Sequence, residues 1–498
     1  MNHRTLIVLA TVGVCFSSSA RSIKAGFAER DITPEIGMEQ PGNYMKQFHR
    51  TFHDACKVRA AVFEQGGQRV ALVGVDTLMI PRAVVLDARR EIQARCGIAP
   101  GAVMIGASHS HSSGPLGFFL PGEFDHASDF VKKLAYEKSP MADARYVELA
   151  RKQIVDAVCA ANESLAEVKC GFGSGLEDRA AFNRRIRMKS GGTFTHPQKG
   201  NPDSVEYAGP IDPQVGVVGV WDSRSNLVGC IVNYACHATT PAAGISANWI
   251  YDMERTIRGV FGTNVMVVFL QGDCGDITQV NNLDAHIEPP GERGSQIVGG
   301  RVGAEVVKVL YSVEAGSNAV VDAKSKVWKI KRRVPGAERL KAARELAAKD
   351  PKEAGPDWVW AKETVLLDAL IQKEPAVEVE VQAIQIGPAV FVSNPAEMFV
   401  EYGLELKKKS PFPLTFPVEL ANGCVGYVPT QEAFSERGGG YETRLTSYSN
   451  LEITAGRQFT DMGLELMRAM KPGKIPERPL APSFKQPWSY GNVAPQLE

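Results

Sequence analysis

The 498-residue chain lacks three features that would narrow its class at once: an excess of one charge, a dense set of cysteines and a long hydrophobic run. Lysine plus arginine and aspartate plus glutamate number 56 each, so no net charge points to nucleic acid or to an anionic membrane. Nine cysteines without a Cys-x-x-Cys pair exclude a disulfide-dense scaffold and a zinc ribbon. We therefore expect a soluble globular protein whose partner is a small molecule.

The first twenty residues have the organisation of an export signal. Arg4 precedes an apolar run over residues 5–16, and four small residues follow it. That run is too short for a membrane span of roughly 20 residues, and no later segment is long enough without charges or turn residues. We expect residues 1–20 to be a signal peptide and the mature protein to be periplasmic or secreted. Cys15 leaves a lipoprotein as the less favoured alternative, because a bulky valine precedes it where a small residue is required.

Short apolar runs alternate with amphipathic helical segments along the chain, which predicts an α/β fold with mixed β-sheets flanked by helices. Turn-rich residues, such as Gly66-Gly67, join neighbouring strand patterns into hairpins, and Gly97 ends a helical pattern. The predicted hairpins pair residues 58–63 with 70–75 and residues 215–221 with 227–235, and the predicted helices include residues 82–95 and 143–162.

The second half is predicted to hold a helical insertion, a half-exposed strand and a tail. Charges recur over residues 337–372, which we interpret as solvated helices without a functional role. Valines alternate with Glu378, Glu380 and Gln382, a pattern typical of a strand with one exposed face. Six prolines predict an extended surface tail over residues 472–498.

Histidines follow two of the predicted strands. His109 and His111 come after the apolar residues 102–105, and in a regular strand residues two apart share a face, so both imidazoles could reach one cation. The alternative is a polar loop with two solvated or hydrogen-bonded histidines. His237 ends the strand predicted over residues 227–236, and a lone histidine at a strand end is more often structural than a ligand.

Glu397 follows the buried strand predicted over residues 389–392 and would open the next helix, where the helix dipole alone explains a carboxylate. Together with His109 and His237 it would nevertheless supply the nitrogen and oxygen ligands of a catalytic zinc site. Thr278 lies in a Gly-Asp loop whose backbone N–H groups could face an oxyanion, or it could simply cap the next segment. Arg184 belongs to a basic cluster that could hold a carboxylate, although such clusters are usually solvated. Cys274 is interpreted as an inert thiol.

The order of these motifs resembles that of the neutral (alkaline, non-lysosomal) ceramidase family over residues 24 to about 470. The resemblance implies that residues 21–471 form the family's α/β catalytic domain. The matching segments are Gly26-Phe27-Ala28-Glu29-Arg30-Asp31-Ile32-Thr33-Pro34, Val58-Arg59-Ala60-Ala61-Val62-Phe63, Val75-Asp76, Gly106-Ala107-Ser108-His109-Ser110-His111-Ser112-Ser113-Gly114-Pro115, Asn183-Arg184, His237, Pro395-Ala396-Glu397 and the Asn422 and Tyr427 pair.

The resemblance also implies a site. It assigns Zn²⁺ to His109, His237, Glu397 and Tyr427, with His111, Arg184 and the Gly-Asp loop around the reaction centre. For Tyr427 the alternative is an ordinary core aromatic. The chain departs from the family in two respects. Thr278 stands where the family has a serine, and the chain stops soon after its last helical pattern, so we expect the family's C-terminal immunoglobulin-like domain to be absent.

The predicted function is an exported zinc-dependent hydrolase, first of all an amidase that acts on an N-acyl amide or a lipid. His111 would transfer the proton, Arg184 and backbone amides near Gly275 would stabilise the oxyanion, and Thr278 would form a hydrogen bond or, less readily, act as a nucleophile. The alternatives are a zinc-dependent esterase or other metallohydrolase, and a periplasmic binding protein that has lost turnover. The sequence indicates neither the exact substrate nor an oligomeric state.

Overall fold

The structure is a computed structural model that describes residues 22–240, 243–287, 289, 291–488, 490–491 and 493–498. The predicted signal peptide and Cys15 lie outside these residues. In the described ranges, helices α1 to α10 are Arg82–Cys96, Asp129–Lys138, Ala144–Glu163, Trp249–Phe261, Glu292–Ser312, Ala337–Ala347, Pro351–Ala354, Asp357–Lys373, Val400–Lys409 and Ala455–Arg468. In the same ranges, strands β1 to β21 are Lys24–Asp31, Lys57–Gln65, Gln68–Val75, Val103–Ala107, Ala166–Glu167, Lys169–Leu176, Phe182–Asn183, Arg185–Met188, Thr193–Thr195, Ser204–Tyr207, Gln214–Trp221, Leu227–Tyr234, Met266–Gln271, Ile277–Thr278, Ala315–Gly316, Val321–Lys331, Ala376–Ile386, Ala389–Ser393, Glu397–Met398, Leu414–Val418 and Tyr427–Val428.

Three larger sheets carry the fold, and each contains one parallel strand pair. Their strand orders are β4-β3-β2-β1-β5, β13-β12-β11-β6-β15 and β16-β17-β18-β20. The parallel pairs are β3 with β4, β12 with β13 and β18 with β20, and the other neighbours are antiparallel. The prediction of an α/β fold with mixed sheets flanked by helices is confirmed. Because parallel strands end on the same side, each pair sends two loops toward one edge of its sheet.

Local sequence signals account for the first elements. β2 and β3 form the predicted hairpin around Gly66 and Gly67. Their φ angles of 63° and 89° are typical of the two-residue turn whose twist matches that of the flanking strands. Helix α1 ends at Gly97, which adopts a φ of 68° as its C-cap. β11 and β12 form the second predicted hairpin. These predictions are therefore confirmed, with element ends that differ by no more than two residues.

The first two sheets pack face to face without an intervening layer. At Gly74 in β3, a Cβ atom would lie only 2.3 Å from the carbonyl oxygen of Phe269 in β13, so a larger residue would force the sheets apart. Helix α3 covers the other side of β1 and β2, whereas α4 and α5 pack on each other beside the second sheet. This close sheet packing brings the end of β4 next to the ends of β12 and β13.

The prediction of a half-exposed strand is wrong for the middle of β17. Glu380 and Gln382 are both buried. Helix α1 presents Arg82 and Arg89 to this face, and each donates to Glu380 at distances of 2.7 to 3.0 Å. The Gln382 side chain donates to the carbonyl oxygen of Gly101 at 2.7 Å. The alternating pattern correctly indicated polar side chains on one face, but their partners belong to a distant helix.

The prediction of solvated helices in the second half fits α6 but is wrong for α8. Lys362 in α8 is fully buried, and its ammonium group donates to the carbonyl oxygen of Tyr44 at 2.9 Å. The same nitrogen lies 3.0 Å from Glu363 Oε1, and Ser447 donates to the other oxygen of this carboxylate. Paired in this way, two charges occupy the protein interior, where an unpaired charge would be costly.

The described residues of the tail, from residue 472 onward, contain no helix or strand and are mostly exposed. The boundaries proposed for the signal peptide, main domain, insertion and tail stay predictions. Among the described helices, none has both the length and the apolar character that a membrane crossing requires.

Candidate metal centre

A cavity of about 460 Å³ opens where the three sheets meet. Its wall combines histidines, a carboxylate and an arginine with aromatic and aliphatic side chains, as is usual for small-molecule sites. All seven residues predicted as catalytic or metal-binding line this one cavity: His109, His111, Arg184, His237, Thr278, Glu397 and Tyr427.

The two histidines of the His-x-His motif meet through a turn. Strand β4 ends at Ala107, and His109 has a left-handed φ of 63°, so the predicted strand geometry is wrong for the motif. The Nε2 atoms of His109 and His111 nevertheless lie 3.4 Å apart. The Nδ1 atom of His109 contacts the carbonyl oxygen of Leu78 at 2.9 Å, which leaves Nε2 to face the cavity.

The segment around Gly42 closes over His111. The carbonyl oxygen of Gly42 lies 3.3 Å from His111 Nδ1, and the His111 carbonyl oxygen accepts a hydrogen bond from Gln40 at 2.9 Å. Gly42 has a φ of 86°, and a Cβ atom there would lie 2.3 Å from His111 Nδ1. Only glycine therefore allows this approach without displacing the imidazole.

His237 is held from behind by backbone carbonyl groups. Its Nδ1 atom lies 2.8 Å from the carbonyl oxygen of Cys274 and 2.9 Å from that of Ile277. The indole of Trp249 donates to the His237 carbonyl oxygen at 3.1 Å. These contacts direct Nε2 of His237 into the cavity, where Arg184 Nη1 lies 3.1 Å from it.

Glu397 lies in a two-residue strand, not at the start of a helix. Strand β19 pairs in parallel with β21, and Glu397 is in register with Tyr427, whereas α9 begins only at Val400. The helix-dipole explanation for this carboxylate is therefore wrong. Glu397 Oε2 lies 3.3 Å from His109 Nε2 and 3.6 Å from His237 Nε2, yet this buried oxygen accepts no hydrogen bond.

The hydrogen-bond pattern makes this group of atoms electron-rich. An imidazole Nδ1 that contacts a carbonyl oxygen carries a proton, so Nε2 of His109 and of His237 presents a lone pair when the ring is neutral. Burial, together with Arg184 and His109, lowers the pKa of His237 to about 3, so this ring is neutral. Two imidazole nitrogens and a carboxylate oxygen thus converge, and Arg184 donates to the nitrogen of His237. Such an arrangement fits a cation, since carbonyl contacts of this kind also orient metal-binding histidines.

His111 belongs to the same group. The ligand atoms of His109, His111 and His237 all lie within 4.8 Å of one another, so the three histidines could hold a metal ion. Burial and the two neighbouring imidazoles hold the pKa of His111 well below its usual value. A neutral imidazole at this distance can act either as a ligand or as an acceptor for a proton.

Arg184 is the buried cation of the site. Its Nε donates to Glu442 Oε1 at 2.9 Å, and its guanidinium carbon lies 5.5 Å and 5.1 Å from the ring centroids of Tyr427 and Tyr441. The hydroxyl groups of the two tyrosines are 2.9 Å apart. Tyr441, which the sequence analysis missed, therefore stands beside Tyr427 at the same place in the cavity.

The Gly-Asp loop has a different role from the one predicted. The Gly275 amide donates to the Met398 carbonyl oxygen at 2.8 Å, and the Ile277 amide donates to that of Cys274 at 2.9 Å, so neither amide is available to an oxyanion. The Gly275 carbonyl oxygen instead accepts from Arg184 at 2.8 Å. The loop thus orients Arg184, and the Gly275 and Ile277 amides are excluded as oxyanion donors, whereas a role for the other amides of the loop stays a prediction.

Thr278 and Cys274 show no sign of activation as nucleophiles. The Thr278 hydroxyl donates to the amide oxygen of Gln279 at 3.2 Å, which is not a basic group. Burial and the nearby Glu419 raise the pKa of the Cys274 thiol well above its usual value, which agrees with an inert thiol.

Other cavity residues had weak signals or none in the sequence. Pro41-Gly42-Asn43 reads as a turn, but nothing local links it to His111. Glu363, Tyr44 and Tyr448 also line the cavity. The ring centroids of Tyr44 and Tyr448 are 6.4 Å apart, and burial raises the pKa of Tyr44 to about 12. These residues come from three distant segments, so only the fold brings them together.

Comparison with known proteins supports the resemblance, although no family model matches the chain. A 316-residue alignment with "Neutral ceramidase" of Pseudomonas aeruginosa is 26% identical and covers 56% of this chain and 41% of that protein. The crystal structure of neutral ceramidase from Pseudomonas aeruginosa matches with a TM-score of 0.67 and 21% identity, over 92% of this chain and 77% of that one. A structure described as "Ceramidase complexed with C2" matches with a TM-score of 0.65 and 20% identity, over 93% and 77% of the respective chains.

The fold is therefore that of the neutral ceramidases, with a group of three histidines able to hold a metal ion. The resemblance predicted from the motifs is confirmed: the chain is similar to neutral ceramidase in part of its sequence and in its fold. The sequence alignment spans less than half of the curated relative's length.

Proposed function

We propose that the protein is an exported zinc-dependent hydrolase that cleaves an amide bond. The observation that carries this proposal is Glu397 Oε2, a buried oxygen without a hydrogen bond that faces the Nε2 atoms of His109 and His237. Two imidazole nitrogens and a carboxylate oxygen, with Tyr427 as the fourth ligand, suit zinc better than magnesium or calcium, which prefer oxygen ligands alone. When bound, the ion would act as a Lewis acid and would activate water.

Arg184 is proposed to stabilise the oxyanion of the transition state. Its Nη1 group already points to the metal-binding edge of His237, while Glu442 and the two tyrosine rings fix the guanidinium plane. A donor placed in this way before the reaction begins contributes about 3 kcal/mol. Arg184 would thus be the main oxyanion donor, a role that the sequence predicted for Arg184 together with backbone amides near Gly275.

His111 is proposed to accept and return the proton at Nε2. This atom lies 3.4 Å from His109 Nε2, next to the place where the water would react. The Gly42 carbonyl oxygen would keep the proton of the resting imidazole on Nδ1. Thr278, whose hydroxyl faces Gln279, is assigned a hydrogen-bonding role in the same cavity.

The cavity wall supports an N-acyl amide or another lipid amide as the substrate. Leu78, Met79, Phe118 and Tyr448 offer apolar surface to an acyl chain. Glu363, with Ser447 beside it, adds a polar patch to the same wall. A substrate with an apolar chain and a polar group on its other side matches this division.

The test is metal analysis combined with a matched substrate panel. Purified protein is expected to contain about one zinc per chain, to lose activity with a chelator and to regain it with zinc. An acyl amide, the ester with the same acyl group and a phosphate monoester are then compared. His109→Ala should abolish zinc binding and turnover, whereas His286→Ala, a change at an exposed histidine outside the cavity, should alter neither.

The possible results separate the alternatives. Cleavage of the ester but not the amide would identify an esterase, and cleavage of the phosphate would identify another metallohydrolase. Zinc binding without turnover of any substrate would indicate a binding protein. Protein without stoichiometric zinc, in which His109→Ala changes nothing, would refute the metal centre itself.

A further inference from the structure

Two cysteines outside the cavity lie in sulfur-to-sulfur contact. Cys96 is the last residue of α1 and Cys159 lies in the last two turns of α3, and their Sγ atoms are 2.7 Å apart. A disulfide requires the two side chains to converge, with a bond length of about 2.05 Å. Among the described cysteines, no other two sulfur atoms are in contact.

The approach of the two thiols is fixed by the fold. Arg69 in β3 donates to the Cys96 carbonyl oxygen at 2.9 Å and to the Asn162 side-chain oxygen at 2.8 Å. One guanidinium group therefore forms hydrogen bonds to the C-terminal ends of both α1 and α3. Arg95 and Asp156 add a second link between the helices, at 2.8 Å. Closing a disulfide therefore needs only a small movement of two side chains, not a shift of either helix.

We propose that Cys96 and Cys159 form a structural disulfide that joins α1 to α3. The thiolate of one cysteine attacks a disulfide oxidant, such as oxidised glutathione, and displaces one thiolate from it. The second cysteine then attacks the mixed disulfide, so the Sγ–Sγ bond forms and the oxidant leaves as two thiols that take up the two protons. Burial raises the pKa of the Cys96 thiol to about 12, so exchange in the folded protein is slow and the bond forms mainly during folding.

The bond would stabilise the first sheet and its helices. It closes a loop of 63 residues, which restricts the unfolded chain far more than a short loop would. The helices that it joins are packed on each other, and α3 also packs on β1 and β2. The inference is independent of the metal centre, because neither cysteine lines the cavity.

The experiment compares full-length protein refolded with oxidised glutathione and with a reductant. After free thiols are blocked, mass spectrometry of a digest should detect the Cys96–Cys159 cross-linked peptide only in the oxidised sample, with two fewer free thiols per chain. The oxidised protein should unfold about 4 °C higher than the reduced protein. Cys96→Ser should remove the cross-linked peptide and this difference, whereas Cys424→Ser, at a partly exposed cysteine without such a contact, should keep both.

The outcome is decisive in either direction. An unchanged thiol count after oxidative refolding, or a cross-link between other cysteines, would overturn the proposal. If a buried Cys159→Ser variant fails to fold, the partly exposed Cys96→Ser variant still decides the question. Zinc content and hydrolysis are read separately, so failure of the disulfide leaves the proposed function intact.

Discussion

Two buried groups of ionisable side chains differ in whether their charges are paired within the protein. In the paired cluster, Arg59 donates to Asp76 at 2.8 Å and contacts Glu254, which also lies 3.0 Å from Lys57 and contacts Arg258. In the proposed metal centre, formed by His109, His237 and Glu397, a buried carboxylate oxygen accepts no hydrogen bond.

This difference separates a structural group from a functional one. Burial alone raises the pKa of Glu254, but Arg59, Lys57 and Arg258 together bring it below the usual value, so the carboxylate stays charged without any ligand. Burial alone also raises the pKa of Glu397, and His109 and His237 hold it well below its usual value, yet its Oε2 atom accepts no hydrogen bond. A buried group that the protein leaves without a partner indicates that a ligand supplies one.

The largest expected effect comes from breaking the paired cluster. Glu254→Ala should lower the free energy of unfolding by about 3 to 5 kcal/mol, because it leaves the Arg59 guanidinium buried with one partner fewer. Denaturant unfolding of the protein after a chelator has removed the metal measures this change in the free energy of unfolding. Glu29→Ala, which removes a partly exposed carboxylate from Lys57 and Arg258, should cost no more than about 1 kcal/mol.

Zinc content completes this test of the paired cluster. The folded fraction of Glu254→Ala should still bind zinc, since none of its partners lines the cavity. Equal unfolding free energies for Glu254→Ala and Glu29→Ala would contradict the structural role of the cluster, and loss of zinc in Glu254→Ala would couple it to the metal centre.

The sequence predicted the position of the site better than its geometry. Apolar runs marked the ends of β4 and β12, so His109, His111 and His237 were identified beside a common cleft. The left-handed turn at His109 was not predicted, because it depends on the contact of its imidazole with Leu78. Side-chain patterns report burial and period, whereas this turn is specified by a tertiary contact.

The errors in the second half have a related cause. Glu397 was placed in a helix because its strand has only two residues and exists through pairing with Tyr427, which is thirty positions away in the chain. Lys362 and Glu363 were assigned to solvent because charges in a helical pattern usually face water. In α8 they instead pair with each other and with the Tyr44 carbonyl oxygen and Ser447. Partners that are distant in sequence produced both errors.

The Arg184→Lys variant tests whether the proposed metal centre requires the planar guanidinium group of Arg184 or only its positive charge. Arg184→Lys keeps the charge but loses the planar group that reaches His237, Glu442 and the Gly275 carbonyl oxygen together. We expect kcat to fall roughly 100- to 1000-fold with little change in KM, because the lost donor acts in the transition state. Steady-state kinetics with the amide substrate measure the effect.

A matched variant controls for the substitution itself. Arg187→Lys changes an arginine that donates to Glu432 outside the cavity, so its kinetic constants should stay within about twofold of the parent. A rise in KM without a fall in kcat for Arg184→Lys would show that Arg184 binds the substrate and does not stabilise the oxyanion.

Glu397→Gln sharpens the comparison because its effect on stability should have the opposite sign from that of Glu254→Ala. A glutamine amide can donate to the Nε2 atom of a neutral His109, whereas Nε2 of His237 already accepts from Arg184, so the metal-free protein should gain about 1 kcal/mol. Zinc affinity should fall at the same time, since a carboxylate ligand is lost. Denaturant unfolding with chelator and a zinc titration provide the two measurements.

The same substitution at a paired carboxylate gives the control. Glu442 accepts hydrogen bonds from Arg184 and Thr195, so Glu442→Gln should destabilise the chelated protein by about 1 to 3 kcal/mol. If Glu397→Gln destabilises the chelated protein as much as Glu442→Gln does, Glu397 is satisfied without a metal and the contrast between the two groups fails.

The smallest expected effect concerns the two phenols at the edge of the metal centre. Tyr427 is in register with Glu397, and Tyr441 touches it through a hydroxyl contact of 2.9 Å, so only one of them needs to be a ligand. Strand pairing with Glu397 holds Tyr427 next to the proposed ligands, whereas Tyr441 lies outside this strand pair. We therefore expect Tyr427→Phe to weaken zinc binding about tenfold and Tyr441→Phe to weaken it less than about threefold. Both changes keep the ring that packs on Arg184, so a competition assay with a zinc chelator reports the hydroxyl group alone. A larger loss of zinc affinity in Tyr441→Phe than in Tyr427→Phe would assign the ligand role to Tyr441. Equal, small losses of affinity would leave His109, His237 and Glu397 as the protein ligands, with His111 as the next side chain within reach.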